Sequence, residues 1–168
     1  MQMQTSSAPL LTAAKLAELV ALGHNRISQI YLHWTAGRYG QLYDDYHFNI
    51  DADGSVYQTC TQLTELKSHT WHRNTGAIGI ALCCACGALP HNGRDTEFGK
   101  FPPTPRQIDA AGKLVAKLAQ GLNVPIDRWR ISLLTAKPRL STATDRTAAT
   151  PKPAGTYGIC AIHQATGQ

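Results

Sequence analysis

His33, followed by Trp34-Thr35-Ala36-Gly37, is the first candidate for holding a metal or a proton near neutral pH. At a strand end beside a loop, a neutral imidazole can face a cleft as a metal ligand; the same position also suits a merely hydrogen-bonded polar residue. Tyr46-His47-Phe48 is the second candidate. Strand alternation puts Tyr46 and Phe48 on one face and His47 on the other, so either the tyrosine or the histidine, but not both, can face one cleft. His69 and His72 are three residues apart and could chelate from a helix, but Ser68, Asn74, Thr75 and Gly76 around them predict a loop. Cys83-Cys84-Ala85-Cys86 lacks the two separated pairs that a zinc ribbon needs and reads as small buried hydrophobes. Asp51 and Asp53 invite a calcium reading, but glycine falls at loop position four instead of six and no closing glutamate follows, so an Asp-Gly hairpin is the better description. No G-x-S-x-G, Walker A or G-x-G-x-x-G occurs, which removes the common serine-hydrolase, P-loop and dinucleotide readings.

The elements that must position these residues follow from local signals. After Thr12, a candidate N-cap, Leu16, Leu19 and Val20 share a helical face and Gly23 stands where a C′ glycine belongs. Residues 27–34 predict a strand ending at His33 and Trp34. Residues 46–50 and 55–59 predict antiparallel strands joined across residues 51–54. Residues 77–84 form a continuous apolar run, as in a central strand buried on both faces. Residues 87–103 read as a long loop. Thr104, Pro105 and Gln107 then spell a capping box, and Ile108, Ala111, Val115, Leu118 and Leu122 give one apolar helical face. Residues 131–135 supply one more strand. Together these make an α/β domain with one histidine-centred site.

The 168 residues, 43% hydrophobic and 16% charged, suit one globular domain and exclude a disordered acidic chain, a collagen or a coiled coil. The longest nearly apolar run, residues 78–89, is too short to span a membrane. The first ten residues carry neither a basic nor an apolar signal region, so cytoplasmic synthesis, with release by lysis, is expected. The net charge of +5 favours anionic partners. Three of those charges come from residues 136–168, where Lys137, Arg139, Arg146 and Lys152 face a single acid, Asp145. They are too sparse, and too poor in interleaved aromatics, to read as a nucleic-acid surface. The five cysteines are odd in number and clustered, which predicts mostly reduced thiols.

Taken in order, the motifs resemble the zinc-dependent N-acetylmuramoyl-L-alanine amidase family, the amidase and peptidoglycan-recognition fold that includes amidase-type phage lysozymes. They are His33-Trp34-Thr35-Ala36-Gly37; Tyr46-His47-Phe48-Asn49-Ile50 running into Asp53-Gly54-Ser55-Val56-Tyr57; Trp71-His72; Ala77-Ile78-Gly79-Ile80-Ala81-Leu82; Thr104-Pro105-Arg106-Gln107; and Asn123-Val124-Pro125. The resemblance covers residues 27–135 and implies a central mixed sheet flanked by helices. It further implies hydrolysis of the amide between N-acetylmuramic acid and L-alanine by water on a zinc ion held by two histidines and an Asp or Cys. On that pattern His33 is the first zinc ligand and Tyr46 assists the tetrahedral intermediate. Ala81 stands where many bacterial members carry a catalytic glutamate, so this chain relies on the tyrosine. His72 and Trp34 bind substrate, peptidoglycan is the partner, and the chain is a monomer.

The resemblance also implies a second zinc histidine directly after the strand at 131–135, where this chain has Ala136-Lys137-Pro138. Asp145 lies at a distance suited to the third ligand, whereas Cys160 and His163 are ligands by type alone. Residues 1–135 are therefore read as an amidase-like domain and 136–168 as an atypical Thr/Ala/Pro-rich tail. Translation of that tail in a shifted frame would explain both its composition and the missing histidine. With one family ligand in place, zinc is expected to bind weakly. The alternative is a non-catalytic peptidoglycan-binding module in which Trp34, Trp71 and His72 supply stacking and hydrogen bonds.

Overall fold

The computed structural model describes residues 4–5, 7–91, 95–127 and 131–134. Five strands, β2 (Gln29–Trp34), β4 (Phe48–Ile50), β5 (Val56–Gln58), β6 (Ala77–Leu82) and β9 (Ile131–Leu134), form one mixed sheet in the order β5-β4-β6-β2-β9. β2, β4, β6 and β9 run parallel, and β5 pairs antiparallel with β4. The helices are α1 (Ala13–Gly23) and α2 (Pro105–Leu122). Among the described residues there are also two short pairs: β1 (Gln4–Thr5) with β3 (Leu42–Tyr43), and β7 (Leu89–His91) with β8 (Asp95–Glu97).

β6 lies between two parallel neighbours, and all six of its residues are buried, as its unbroken apolar run requires. Alternation divides its side chains between two environments. Ile78, Ile80 and Leu82 join Ile30, Phe48 and Ile50 beneath Leu16 and Leu19 of α1 and Ala111, Leu114, Leu118 and Leu122 of α2. Ala77, Gly79 and Ala81 line the opposite face with small side chains, leaving room there for other groups.

The capping box is as the sequence predicts. Thr104 accepts the Gln107 N–H, and the Gln107 side chain accepts the Thr104 N–H at 3.0 Å. Gln107 is also fully buried, and its amide donates to the Ile50 and Cys83 carbonyls at 3.0 and 3.2 Å. That anchorage turns the Gln107-Leu114-Leu118 side of α2 to the sheet and leaves Ile108 49% exposed, a shift from the face expected from spacing. Gly23 differs as well. It is the last residue of α1, and Leu122 and Leu63 would lie 3.2 Å from a Cβ there, so it serves close helix packing. The left-handed residue is Asn25.

The 51–54 hairpin is present, with Gly54 at positive φ and donating to the Asp51 carbonyl at 2.9 Å. Asp51 accepts from the Gly40 and Ala52 amides, and Asp53 from the Ser55 amide and hydroxyl, so both carboxylates serve the turns. The stretch read as a loop, 87–103, contains the β7–β8 pair, whose residues include Pro90 and lack the apolar alternation that announces a strand. Cys60, Cys83 and Cys84 are buried free thiols, as expected, and burial pushes Cys60 and Cys84 up to about 12. The expectations for the tail, including Asp145, Cys160 and His163, lie outside the described residues.

Candidate functional site

His33 is the penultimate residue of β2, opposite Ala81 of β6, at the carboxyl ends of two adjacent parallel strands. Open α/β sheets place their ligands at such ends. Alternation puts Tyr31 and His33 on the small-residue face and Trp34 on the helix side, where its ring meets Phe98 edge-on at 5.3 Å. The structure therefore does not bring Trp34 to His33.

Four rings gather around His33. Tyr46 lies 5.2 Å from it between centroids, His69 5.3 Å and Tyr31 6.4 Å, while His47 lies 5.9 Å from His69. His33, Tyr46, His47 and His69 are all buried. The closest polar approach is between His33 Nε2 and His69 Nδ1, at 3.3 Å.

The two buried histidines nearest His33 differ in how they are satisfied. The Gly79 amide donates to His47 Nδ1 at 3.1 Å, which leaves Nε2–H to donate to the Glu65 carbonyl at 3.1 Å. His47 is thus a hydrogen-bonded core residue; Tyr46 meets His33 and His47 meets His69, so both rings join one cluster while Phe48 packs in the helix-side core, contrary to the alternation expected over 46–48, because β4 begins only at Phe48. His69 pairs its Nδ1 with His33, and its ring also interacts with the Ala77 backbone. Burial holds all three imidazoles neutral: His33 is lowered to about 3, first by burial and then by His69, and His47 and His69 are lowered to about 4, first by burial.

His69 was legible only as one half of a doubtful pair with His72. The loop expected around His69 and His72 is present, and it separates the two rings. Thr70 donates through its amide and hydroxyl to Asn74 Oδ1, at 2.8 and 2.6 Å, bracing the chain behind the inward His69. His72 has a left-handed backbone, is exposed, and stacks edge-on against Trp71 at 4.4 Å. It lines a groove of about 460 Å³ with Leu66, Ser68, Thr70, Trp71, Asn74 and Thr75. Trp71 and Leu66 are 73% and 71% exposed on that groove. One sequence signal pointed to His69, namely the interior glycine of β6, which marks a close approach to a strand.

Among the described residues no group of three or more His, Cys, Asp or Glu side chains converges as a metal site. The arrangement is one of buried neutral imidazoles and a phenol at the carboxyl end of parallel strands.

Residues 23–150 match the N-acetylmuramoyl-L-alanine amidase family. The chain belongs to this family. The match begins at the end of α1, takes in β2 and the whole histidine cluster, and continues past residue 135. Among solved structures, the chain is similar to an endolysin from Thermus scotoductus bacteriophage Ph2119, with 16% identity, 77% of each chain covered and a TM-score of 0.49. It is also similar to PGRP-Hd from Alvinella pompejana, with 17% identity, coverage of 81% of this chain and 78% of that one, and a TM-score of 0.44. No curated protein matches the chain. Among the described residues, no helix of this amidase-family chain is long and apolar enough to cross a membrane.

Proposed function

We propose that this chain is a peptidoglycan amidase that cleaves the bond between N-acetylmuramic acid and the L-alanine of the stem peptide. The observation that carries the reading is the 5.2 Å placement of Tyr46 against His33 at the carboxyl end of β2, within an amidase-family chain. His33 is a buried, neutral imidazole of the kind zinc takes, but among the described residues fewer than three possible ligands converge on it, so they do not complete a zinc site by themselves. His33 would hold the ion. When bound, zinc supplies a Lewis acid for the scissile carbonyl and lowers the pKa of a water towards ~7.

The chain's own residues do the rest. Tyr46 offers its hydroxyl to the oxygen that gains charge as the amide carbon becomes tetrahedral. Its burial removes competing water, which strengthens that hydrogen bond. His72 and Trp71 bind the muropeptide along the groove beside the site, the indole through stacking and the imidazole through hydrogen bonds. His47 holds Gly79 and the Glu65 carbonyl in place without touching substrate. Residues 1–135 are the working domain of this proposal and 136–168 a separate tail. The chain acts as a monomer that reaches the wall after lysis.

The test is digestion of purified sacculi with the full chain and added zinc. New L-alanine amino groups without new reducing sugar ends are expected; reducing ends alone, or no release, would overturn the reading. One observation favours a binding module instead: the described residues offer two imidazoles and no third metal ligand. Sedimentation with sacculi without amide release identifies that case.

A further inference from the structure

We propose that Lys67 is a positioning residue for Tyr46, clamping the loop that follows β5 against the segment that carries the phenol. The inference rests on the role proposed above for the Tyr46 hydroxyl.

Tyr46 needs such a device, because it lies before the paired stretch of β4, which begins only at Phe48. Thr59, the residue after β5, grips the backbone there instead. Its hydroxyl donates to the Tyr46 carbonyl, and its amide donates to the His47 carbonyl at 3.0 Å. The Thr59 carbonyl in turn accepts from Lys67 Nζ at 2.7 Å. The same ammonium donates to Asp44 Oδ1 at 2.9 Å and lies 3.4 Å from Glu65 Oε2. One cation thus joins the approach to Tyr46, the residue that grips its carbonyl, and the loop beyond.

The Lys67 side chain is only 11% exposed, a degree of burial that lysine tolerates when it is paired. Burial by itself would lower its pKa, but the hydrogen bond and charge of Asp44, with Glu65, outweigh it and hold the ammonium above the ordinary lysine value. Glu65 is committed on its other side. Its Oε1 accepts from the Thr61 and Gln62 amides at 2.6 and 3.0 Å, and its backbone carbonyl accepts from His47 at 3.1 Å. Without Lys67 the two carboxylates would repel each other and the Thr59 carbonyl would lose its donor. An ordinary surface ion pair acts weakly, and on stability alone. This one ends on the backbone of a residue whose hydroxyl must meet the reacting oxygen, where a misplacement of ~1 Å costs about 10²-fold in rate.

The test compares full-length wild type with Lys67→Met, Asp44→Asn and, as a control, Lys113→Met, which removes an exposed lysine paired with Asp109 on α2. In sacculus digestion with added zinc, Lys67→Met should lower kcat by about 10²-fold. Asp44→Asn should lower kcat with KM unchanged, since Asp44 does not line the Trp71 groove, and Lys113→Met should match wild type. In a Tyr46→Phe background Lys67→Met should cost nothing further in kcat, because no hydroxyl is left to misplace. Because Lys67→Met could unfold the chain, NMR spectra of the Tyr46 and His33 rings are compared between wild type and the milder Asp44→Asn, and the Tyr46 resonances should move. Unchanged kcat in folded Lys67→Met, full additivity with Tyr46→Phe, or unmoved Tyr46 resonances in Asp44→Asn would overturn the inference. The spectra also separate it from the proposed function. Moved Tyr46 resonances in a chain that releases no L-alanine amino groups keep the clamp and defeat the amidase reading, whereas unmoved resonances in a chain that does cleave defeat the clamp alone.

Discussion

Gly79 lies directly beneath the His69 ring, so close that a Cβ added to the glycine would sit 2.6 Å from the imidazole Cγ. A histidine ten residues earlier in the chain is thereby seated on the central strand of the sheet. The glycine is required by steric contact and not by its backbone, because its φ is not left-handed.

Gly79→Ala is therefore expected to displace His69 and to destabilise the fold by about 1–3 kcal/mol, the usual cost of overfilling a packed site. Urea denaturation measures the loss, and the His69 ring resonances should move in the same variant. Unchanged stability with unchanged ring shifts would mean that the face is not filled as described.

Three buried neutral histidines make stability depend on pH with a definite sign. His47 titrates near 6.5 when unfolded and at about 4 when folded, so the unfolded chain takes up its proton first as pH falls. Stability should be level above pH 7 and drop between about 6.5 and 4. At ~1.4 kcal/mol per pH unit, His47 alone accounts for at most about 3 kcal/mol, with His33 and His69 acting in the same direction. Urea midpoints from pH 7.5 to 4.5 test this, since the carboxylates mostly contribute below that range. A flat profile would show that these rings accept protons in the folded state.

Tyr46→Phe should leave the zinc affinity of the chain unchanged and lower kcat by about 10²–10³-fold, the usual cost of removing one oxyanion donor. Sacculus digestion at saturating zinc gives the rate. A variant as fast as wild type would remove the hydroxyl from the mechanism.

Gln107→Ala removes the capping-box partner of Thr104 and leaves the buried Ile50 and Cys83 carbonyls without its amide. A loss of about 2–4 kcal/mol is expected, more than the ~1 kcal/mol of an ordinary cap. Thr104→Ala, measured alongside by urea denaturation, should cost more than an exposed cap too, since the Thr104 hydroxyl also donates to the Ala52 carbonyl at 2.6 Å.

Trp71 is 73% exposed, so Trp71→Ala should change stability by less than about 0.5 kcal/mol. Its effect should appear in binding, as reduced sedimentation with sacculi. Equal sedimentation of variant and wild type would place the substrate elsewhere than on the 66–75 groove.

Much of the fold is legible because its signals are local. The Thr104 box closes over three residues, the 51–54 turn over four, and β6 announces itself by an unbroken apolar run. What spacing alone misplaced was orientation. Helical periodicity gave α2 an apolar face but not its rotation, which Gln107 sets by gripping the Ile50 and Cys83 carbonyls.

By itself, then, the sequence determined the α/β class, the approximate places of its main elements, the family, and His33 and Tyr46 as candidate groups at a sheet end. Only the tertiary structure decided which other side chains meet them. Strand alternation sent Trp34 to the helix side, the loop at 59–76 turned His72 outward, and the missing Cβ of Gly79 let His69 reach His33 across 36 residues of chain. No periodicity encodes such a contact, because it depends on where a loop lands on a sheet and on whether the strand beneath leaves room for a ring.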